Sequence, residues 1–273
     1  MDAKAYYQAG QLDDAIAAAA EEVKRHPADL ARRGLLCELL CFAGELERAD
    51  KHLDAMATQD PEAVMGISLF RQLIRAEQAR QDFYQQGRLP EFLGKPSPRL
   101  QLHLQASIRL REGQPDEAAD LLEQAETQRS PVAGTSAGQP FDDLRDTDDL
   151  TASLFEVLTT TGKYYWIPIE SVDTAEFHKP ERPRDLLWRR VHMIVRGGPD
   201  GEVFLPTLYA GAHNESNDQV RLGRLTDWQG GEGSPTRGIG QRTFAMGEED
   251  VAILELQEIT ITNPVAVSDD GED

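Results

Sequence analysis

Apolar residues in the first half of the chain follow the spacing of amphipathic helices. Before residue 43 they form a stripe with helical intervals, made up of Leu35, Leu36, Leu39, Leu40 and Phe42. Residues 62–86 continue the pattern over a longer stretch, with an apolar side formed by Ile67, Phe70, Leu73, Ile74 and Ala76. Intervals of three and four residues put these side chains on one face of a helix, so the pattern predicts a helical first half that includes one long helix.

The helical pattern also repeats along the chain. An interval of 34 residues separates three pairs of landmark residues: Gly10 and Gly44, Ala15 and Ala49, Pro27 and Pro61. In each copy the glycine can adopt the left-handed conformation that ends a first helix. The small alanine lets a second helix pack closely against the first, and the proline ends this second helix. A third copy runs from Gly113 to Pro131. A period near 34 residues with these landmarks is typical of tetratricopeptide repeats, so we predict a repeat domain over residues 1–129.

Arrays of this kind usually present a groove that accommodates peptides or helices. The candidates to line such a groove and to hold a carboxylate are four arginines, Arg32, Arg33, Arg71 and Arg75. A solvated basic face is the alternative interpretation of the same residues. Because no nucleophile, base and orienting group occur together in this half, the pattern favours a binding scaffold.

The composition of the chain changes after residue 129. Residues 130–139, SPVAGTSAGQ, are rich in Ser, Gly, Pro and Ala, and we predict a linker over 130–147. Asp148 or Asp149 is then placed to cap a helix that ends at Gly162 and whose apolar face carries Leu150, Leu154, Val157 and Leu158. A calcium-binding loop is the alternative use of these aspartates, but the spacing of an EF-hand is missing.

From residue 164 onward the pattern changes to short β-strands. Residues 164–169 predict a strand with a proline suited to a sheet edge. Residues 187–195 and 203–209 flank a turn sequence at 197–201 and predict a hairpin. Residues 242–246 and 251–261 predict a second pair of strands.

The end of the chain completes the predicted architecture. Within 251–261 the apolar alternation changes phase, and a bulge near Gln257 and Glu258 would reconcile the two phases. The strands predict a compact antiparallel sheet or small barrel over residues 148–262, and the acidic residues 263–273 are predicted to be disordered. The predicted fold class is therefore α+β, with N-terminal all-α tetratricopeptide-like helical repeats followed by a small antiparallel β-rich domain.

Net charge narrows the range of partners. The 48 Asp and Glu residues outnumber the 28 Lys and Arg residues, which gives a formal net charge of −20. Such a surface repels polyanions, so nucleic acids and anionic membranes are poor partners, whereas a basic or amphipathic helix fits. No run approaches the roughly 18 apolar residues of a membrane span, and no basic region precedes the short apolar run at 15–20. We therefore expect a cytoplasmic protein without membrane insertion.

Residues with a candidate catalytic or metal-binding role are few. Cys37 and Cys41 lie four residues apart in a predicted helix and are interpreted as small buried hydrophobic residues. The glycine-rich runs 230–233 and 238–240 lack the Lys-Ser/Thr of a phosphate-binding loop. An exposed turn is favoured over a metal site for the polar group His213, Glu215 and Asp218. We expect no catalysis, no metal ion and no cofactor.

One group of residues has the composition of an interaction hot spot. Large aromatic rings and guanidinium groups occur together in the set Trp188, Arg190, Arg224, Asp227, Trp228 and Arg242. Such a surface would suit the recognition of an amphipathic helix. In the alternative interpretation the group is internal, so that Asp185 or Asp227 pairs with Arg224 or Arg242 and both Trp rings lie in the core.

Five segments of the second half resemble the ImpE family, in the same order. They are GKYYWIP at 162–168, DLLWR at 185–189, FLPTLY at 204–209, RLGRLTDW at 221–228 and GIGQR at 238–242. Members of this family are also called TagJ or SciE-type virulence proteins. They too begin with tetratricopeptide-like helices, so the resemblance covers almost the whole chain.

The resemblance implies an accessory component of the bacterial type VI secretion system. Family members are associated with the small sheath subunit, TssB, and with recycling of the contracted sheath by the hexameric ATPase ClpV, and they are not known as enzymes. The function that the resemblance implies is a non-catalytic adaptor. The alternative is a generic tetratricopeptide co-chaperone or assembly scaffold that captures another peptide through a carboxylate clamp or an apolar groove.

Overall fold

The computed structural model describes residues 1–262 and begins with seven α-helices. They are α1 (Ala3–Ala9), α2 (Leu12–Arg25), α3 (Leu30–Phe42), α4 (Leu46–Gln59), α5 (Val64–Gln86), α6 (Pro98–Arg111) and α7 (Pro115–Thr127). The landmark glycines Gly10, Gly44 and Gly113 have φ angles of 75°, 73° and 72°, the left-handed conformation that a side chain would disfavour. The predicted helical first half, with its long helix, is confirmed.

Strands dominate the rest of the described chain. They are β1 (Gly134–Ser136), β2 (Gln139–Phe141), β3 (Leu144–Asp146), β4 (Leu154–Thr159), β5 (Tyr164–Pro168), β6 (Val172–Phe177), β7 (Trp188–Val195), β8 (Asp200–Pro206), β9 (Thr226–Gly231), β10 (Ser234–Gly240), β11 (Thr243–Met246), β12 (Glu249–Ala252) and β13 (Glu258–Ile261). A short helix, α8 (Asp218–Arg221), lies between β8 and β9. The predicted acidic tail, 263–273, lies outside the described residues.

The strands form three antiparallel sheets. The largest has the order β2-β1-β13-β6-β7-β8-β4-β5, a second has the order β12-β11-β3, and β9 pairs with β10 in a two-stranded ribbon. The predicted strand at 164–169 is confirmed as β5, which lies at the edge of the large sheet. The predicted hairpin is confirmed as β7 and β8, which pair along their length. The α+β fold class is thus the one that the sequence pattern predicts.

The predicted linker over 130–147 contains three strands instead. β1 pairs with β13 and β2, and β3 pairs with β11, so the β-rich unit begins before residue 148. The small residues of this segment serve close packing of strands: a Cβ atom on Gly134 would lie 2.2 Å from the carbonyl oxygen of Thr260. A composition typical of linkers here reflects short, closely packed strands and tight turns.

The helix predicted after Asp148 is wrong. The Asp148 side chain does cap a turn, accepting a hydrogen bond from the Leu150 amide at 2.8 Å, but this turn is a short 3-10 helix that is followed by strand β4. Every residue of β4 from Leu154 to Leu158 is buried. A strand covered on both faces gives a continuous apolar run, which helical spacing fits as well as strand spacing does.

The single strand predicted over 251–261 is two strands. β12 ends at Ala252, and after a turn the chain joins the large sheet as β13. Ile253 and Leu256, between the two strands, are buried. The change of phase near Gln257 therefore reflects passage from one sheet to another, and the predicted bulge is wrong.

One apolar cluster contains residues of both halves of the molecule. Phe83 of α5 packs edge-on against Trp166 of β5, with ring centroids 4.8 Å apart, and Phe70 of α5 packs edge-on against Trp188 of β7 at 6.0 Å. Burying one such Phe side chain contributes about 1.5–3 kcal/mol to folding. The two halves are consequently stabilised by a shared core.

None of the described helices has the length and apolar composition to cross a membrane.

Candidate interaction site

The β-rich half packs against the first helices of the repeats. The Arg224 guanidinium lies 5.7 Å from the centre of the Tyr7 ring and donates to the carbonyl oxygens of Tyr7 and Gln8 at the end of α1. His213 lies against Gly44, just after α3, where a Cβ atom would come within 2.5 Å of its ring. Trp188, which also belongs to the β-rich half, packs against Phe70 of α5. These contacts place the β-rich half against α1, the end of α3, and α5.

The arginines proposed for that groove are used differently. Arg71 forms ion pairs with Asp50 and Asp54 of α4, at 2.7 and 2.8 Å. Arg32 pairs with Glu22 and Asp29, and Arg33 donates to the Pro27 carbonyl oxygen at 2.8 Å. Arg75 is exposed. Arg71 is therefore not free to form a carboxylate clamp with Arg75, because it already holds two carboxylates of its own helical half.

Two residues of the predicted hot spot are internal. Trp188 is 1% exposed, and its indole nitrogen donates to the Glu77 carboxylate at 3.1 Å. Arg242 is buried and forms ion pairs with Asp146 and Glu156. The pairing predicted for the internal alternative, of Asp185 or Asp227 with Arg224 or Arg242, is wrong, since Arg224 and Arg242 have other partners.

A network of buried charges joins the two halves, and the sequence interpretation missed it. Arg80 of α5 holds both carboxylate oxygens of Glu156 on β4, at 3.0 and 2.9 Å, and also pairs with Glu77 at 3.2 Å. Burial alone would raise the pKa of Glu156, but the Arg80 and Arg242 guanidiniums outweigh it and lower that pKa to about 2. Glu156 is therefore ionised at neutral pH, and it ties α5 to the large sheet.

Two sequence signals could have identified this network. Glu156 is a lone carboxylate within the apolar run LFEVLT, and Arg80 lies among apolar positions of α5 that are buried, such as Ala76 and Phe83. Charged residues are rarely buried unless they are paired, so each of these positions implies a buried partner. The sequence does not specify which buried charges pair with each other, because that depends on the fold.

A cavity of about 200 Å³ lies beside this network, between the two halves. The helices contribute Phe42, Gln81 and Tyr84 to its wall, and the β-rich half contributes Tyr209 and Gln229. Each half thus contributes both aromatic and amide side chains to the lining. Such a cavity is suited to receive a side chain of a partner.

Trp228 lies next to this cavity and is the exposed aromatic residue of the predicted hot spot. Its side chain is 41% exposed, and its ring lies 5.9 Å from the ring of Tyr209. Asp227 is also exposed, and its carboxylate accepts a hydrogen bond from the Trp228 amide at 2.8 Å. Among the described strands, β9 pairs with β10 alone, so the backbone edge that carries these residues faces no other strand.

Arg190 lies apart from the other hot-spot residues. It is on β7, where it forms an ion pair with Glu202 of β8 at 2.5 Å. The structure thus separates the eight candidate residues: Asp227 and Trp228 form one exposed surface, Arg224 joins the halves beside it, Trp188 and Arg242 are internal, and Arg71, Arg75 and Arg190 lie elsewhere.

The two cysteines and Asp218 have structural roles. Cys37 and Cys41 are buried free thiols, as predicted, and burial raises the pKa of Cys37 to about 12. Asp218 accepts a hydrogen bond from the Leu12 amide at 2.8 Å. Within residues 1–262, no group of three or more His, Cys, Asp or Glu side chains has the arrangement of a metal site.

Similarity to known proteins extends over both halves of the chain. The family model described as "ImpE protein" matches residues 138–260. The type VI secretion system accessory component TagJ of Pseudomonas aeruginosa is 30% identical over 259 residues, which are 95% of this chain and 90% of the relative. The crystal structure of a protein from Vibrio parahaemolyticus superimposes with a TM-score of 0.89 at 29% identity, covering 97% of this chain and 98% of that one. The chain belongs to the ImpE/TagJ family of type VI secretion accessory proteins.

Proposed function

We propose that this protein is a non-catalytic adaptor that binds the small sheath subunit TssB and links it to sheath recycling by the ATPase ClpV. The observation that carries the proposal is the similarity to TagJ, an accessory component of type VI secretion, over 95% of the chain. Because the similarity includes the helical and the β-rich halves, it applies to the whole molecule. The adaptor acts in the cytoplasm in this proposal.

We propose the surface formed by Asp227 and Trp228 as the site for the sheath subunit. Exposed Trp residues next to a cavity are typical of interaction hot spots, where truncation costs about 2 kcal/mol or more. The cavity beside Tyr209 offers space for a side chain of the partner. The net charge of −20 supports a partner helix with basic or apolar residues.

The generic tetratricopeptide scaffold receives no support from the arrangement of the helices. A peptide groove requires open helical surface, and part of the surface of α1 and α5 is taken up by Arg224 and Trp188 of the β-rich half. Arg71 is held by Asp50 and Asp54. The sheath-binding adaptor is therefore the function we propose.

The test is calorimetric titration of the purified full-length protein with the N-terminal helical segment of the small sheath subunit from the same organism. We expect one-to-one binding, weakened about 30-fold by Trp228→Ala, which corresponds to about 2 kcal/mol. Leu89→Ala is the control, because Leu89 is an exposed apolar residue just after α5 and lines no part of the cavity. Its affinity should stay within twofold of the original.

The titration tests the sheath-binding function and the role of the Trp228 surface separately. Absence of binding at high micromolar concentration, with both components folded, would contradict the direct sheath interaction. Binding that Trp228→Ala leaves unchanged would keep the adaptor function and remove the Trp228 surface from it.

A further inference from the structure

A second cleft, of about 530 Å³, lies between α5 and the β7–β8 hairpin. Its apolar side is formed by Leu69 and Leu73 of α5 and by Phe204 of β8. The chain between β6 and β7 forms the opposite side. This cleft shares no lining residue with the cavity beside Trp228.

The cleft is rich in cations although the molecule as a whole carries a net charge of −20. Its lining includes four Lys and Arg residues, Lys179, Arg182, Arg184 and Arg190, and three acidic residues, Glu181, Asp185 and Glu202. Lys179, Arg182 and Glu181 are exposed. The lining therefore carries one more positive than negative charge, in contrast to the acidic composition of the whole protein, and a local excess of this kind attracts an acidic partner.

Two of the three carboxylates are already engaged. Asp185 accepts hydrogen bonds from the backbone amides of Glu181 and Arg182, at 2.9 and 3.0 Å. Glu202 holds Arg190 at 2.5 Å and also contacts two histidines, His178 and His192, at 3.3 and 3.4 Å. Within the described residues Lys179 and Arg182 form no ion pair, so their charges are available to a ligand.

Arg184 is arranged as a receptor for a carboxylate. Its guanidinium lies 5.0 Å from the centre of the Phe70 ring, and its side chain is only 16% exposed. Its contact with Asp185 is long, at 4.0 Å, and the Glu38 carboxylate of α3 lies beside the Arg184 backbone. Burial, with a smaller effect from Arg182, lowers the pKa of Arg184. A guanidinium that is stacked on an aromatic ring keeps its N–H groups in a fixed plane and can bind a carboxylate through two of them.

The geometry points to a docking site for an acidic amphipathic segment of a protein partner. Apolar side chains of that segment contact Leu69, Leu73 and Phe204, and its carboxylates reach Arg184 and Arg182. Charge complementarity selects an acidic segment, because Lys179 and Arg182 offer positive charge that no carboxylate of the described residues pairs with. The site goes beyond the proposed sheath-binding surface and provides a second surface, which an adaptor that connects two proteins requires.

The probe is a synthetic helical peptide with Glu and Leu at the spacing of an acidic amphipathic helix, titrated calorimetrically into the full-length protein. The comparison peptide has Gln in place of every Glu. We expect the Gln peptide to bind at least tenfold more weakly, and binding of the Glu peptide to weaken as salt rises from about 0.05 to 0.5 M.

The variant Lys179→Glu/Arg182→Glu changes two exposed residues and should weaken the Glu peptide at least tenfold. Its matched control is Lys4→Glu/Arg25→Glu, which reverses one exposed Lys and one exposed Arg on the helical half and should change the affinity less than twofold. Arg184→Lys keeps the charge but removes the planar group, and a tenfold loss is expected from it as well.

Several results would overturn the proposal. They are equal binding of the Glu and Gln peptides, equal effects of the two double variants, or no binding of the Glu peptide below millimolar concentration. Since the probe contains no sheath sequence, failure of the sheath segment to bind would leave this site standing, and failure here would leave the proposed adaptor function standing.

Discussion

Glu156 and Trp188 show how single residues acquire roles that their own neighbours in sequence do not specify. Trp188 shares one face of β7 with Arg190 and His192, because side chains alternate along a strand. Alternation would therefore place Trp188 with exposed residues, and it is buried only because α5 covers that end of the strand. Glu156 is likewise stabilised by arginines from distant parts of the chain.

Replacing the buried carboxylate should destabilise the protein strongly. Glu156→Gln leaves Arg80 and Arg242 without their shared counter-charge, and breaking a buried pair from one side costs about 3–5 kcal/mol. Urea denaturation followed by circular dichroism measures the free energy of unfolding. The control is Glu248→Gln, the same change at an exposed turn position. A loss below about 1 kcal/mol in Glu156→Gln would show that the network contributes little.

His103 should make stability sensitive to mild acid. Its Nδ1–H donates to the Leu150 carbonyl at 2.9 Å and its Nε2 accepts from the Ser153 hydroxyl at 2.6 Å, and burial lowers its pKa to about 4. Between pH about 6.5 and 4 the unfolded chain binds a proton there and the folded chain does not. The contribution of His103 is therefore complete above pH 6.5 and is lost as the pH falls toward 4.

The measurement compares the original protein with His103→Gln at pH 7.5 and 4.5, so that other titrating groups cancel. The stability difference between the two should shrink by roughly 2–3 kcal/mol at the lower pH. A difference that does not change with pH would mean that the folded protein protonates His103 as readily as the unfolded chain does.

At the scale of elements, helix α2 depends on a residue far away in the chain. Gln11 precedes α2 and makes no capping bond through its side chain, whereas Asp218, the first residue of α8, accepts a hydrogen bond from the Leu12 amide. A sequence pattern predicts the start of a helix from capping residues that lie next to it. A cap supplied by a residue 206 positions away therefore cannot be predicted from the local sequence. The helices and the β7–β8 hairpin were predictable because their signals are local, whereas β1–β3 and β4 owe their strand form to neighbours in the sheets, and the exposure of Trp228 on β9 was left open by the sequence.

Removal of this distant cap should loosen the start of α2. Asp218→Asn is expected to reduce the free energy of unfolding by about 1 kcal/mol, because a capping carboxylate also favours the positive end of the helix. Amide hydrogen exchange should become faster in the first turn of α2. Asp250→Asn, at an exposed position of β12, serves as the matched control. Unchanged exchange in α2 would show that Leu12 does not need this cap.

At the scale of the whole molecule, the shared core predicts that the two halves unfold together. Phe70, Phe83, Trp166 and Trp188 would all be exposed if the halves separated. We expect a single calorimetric transition for the full chain, and an isolated fragment 1–129 that binds hydrophobic dyes and melts at a lower temperature. Two separated transitions, or a fragment as stable as the whole, would contradict the shared core.

The ion pair between Arg80 and Glu156 also has a geometric consequence. It fixes α5 against β4, and α5 forms one wall of both the cavity beside Trp228 and the cationic cleft. The molecule would then behave as a spacer of constant length. Two proteins bound at these sites would be held at a fixed distance and in one relative orientation. Each bound partner would raise the local concentration of the other without any contact between them.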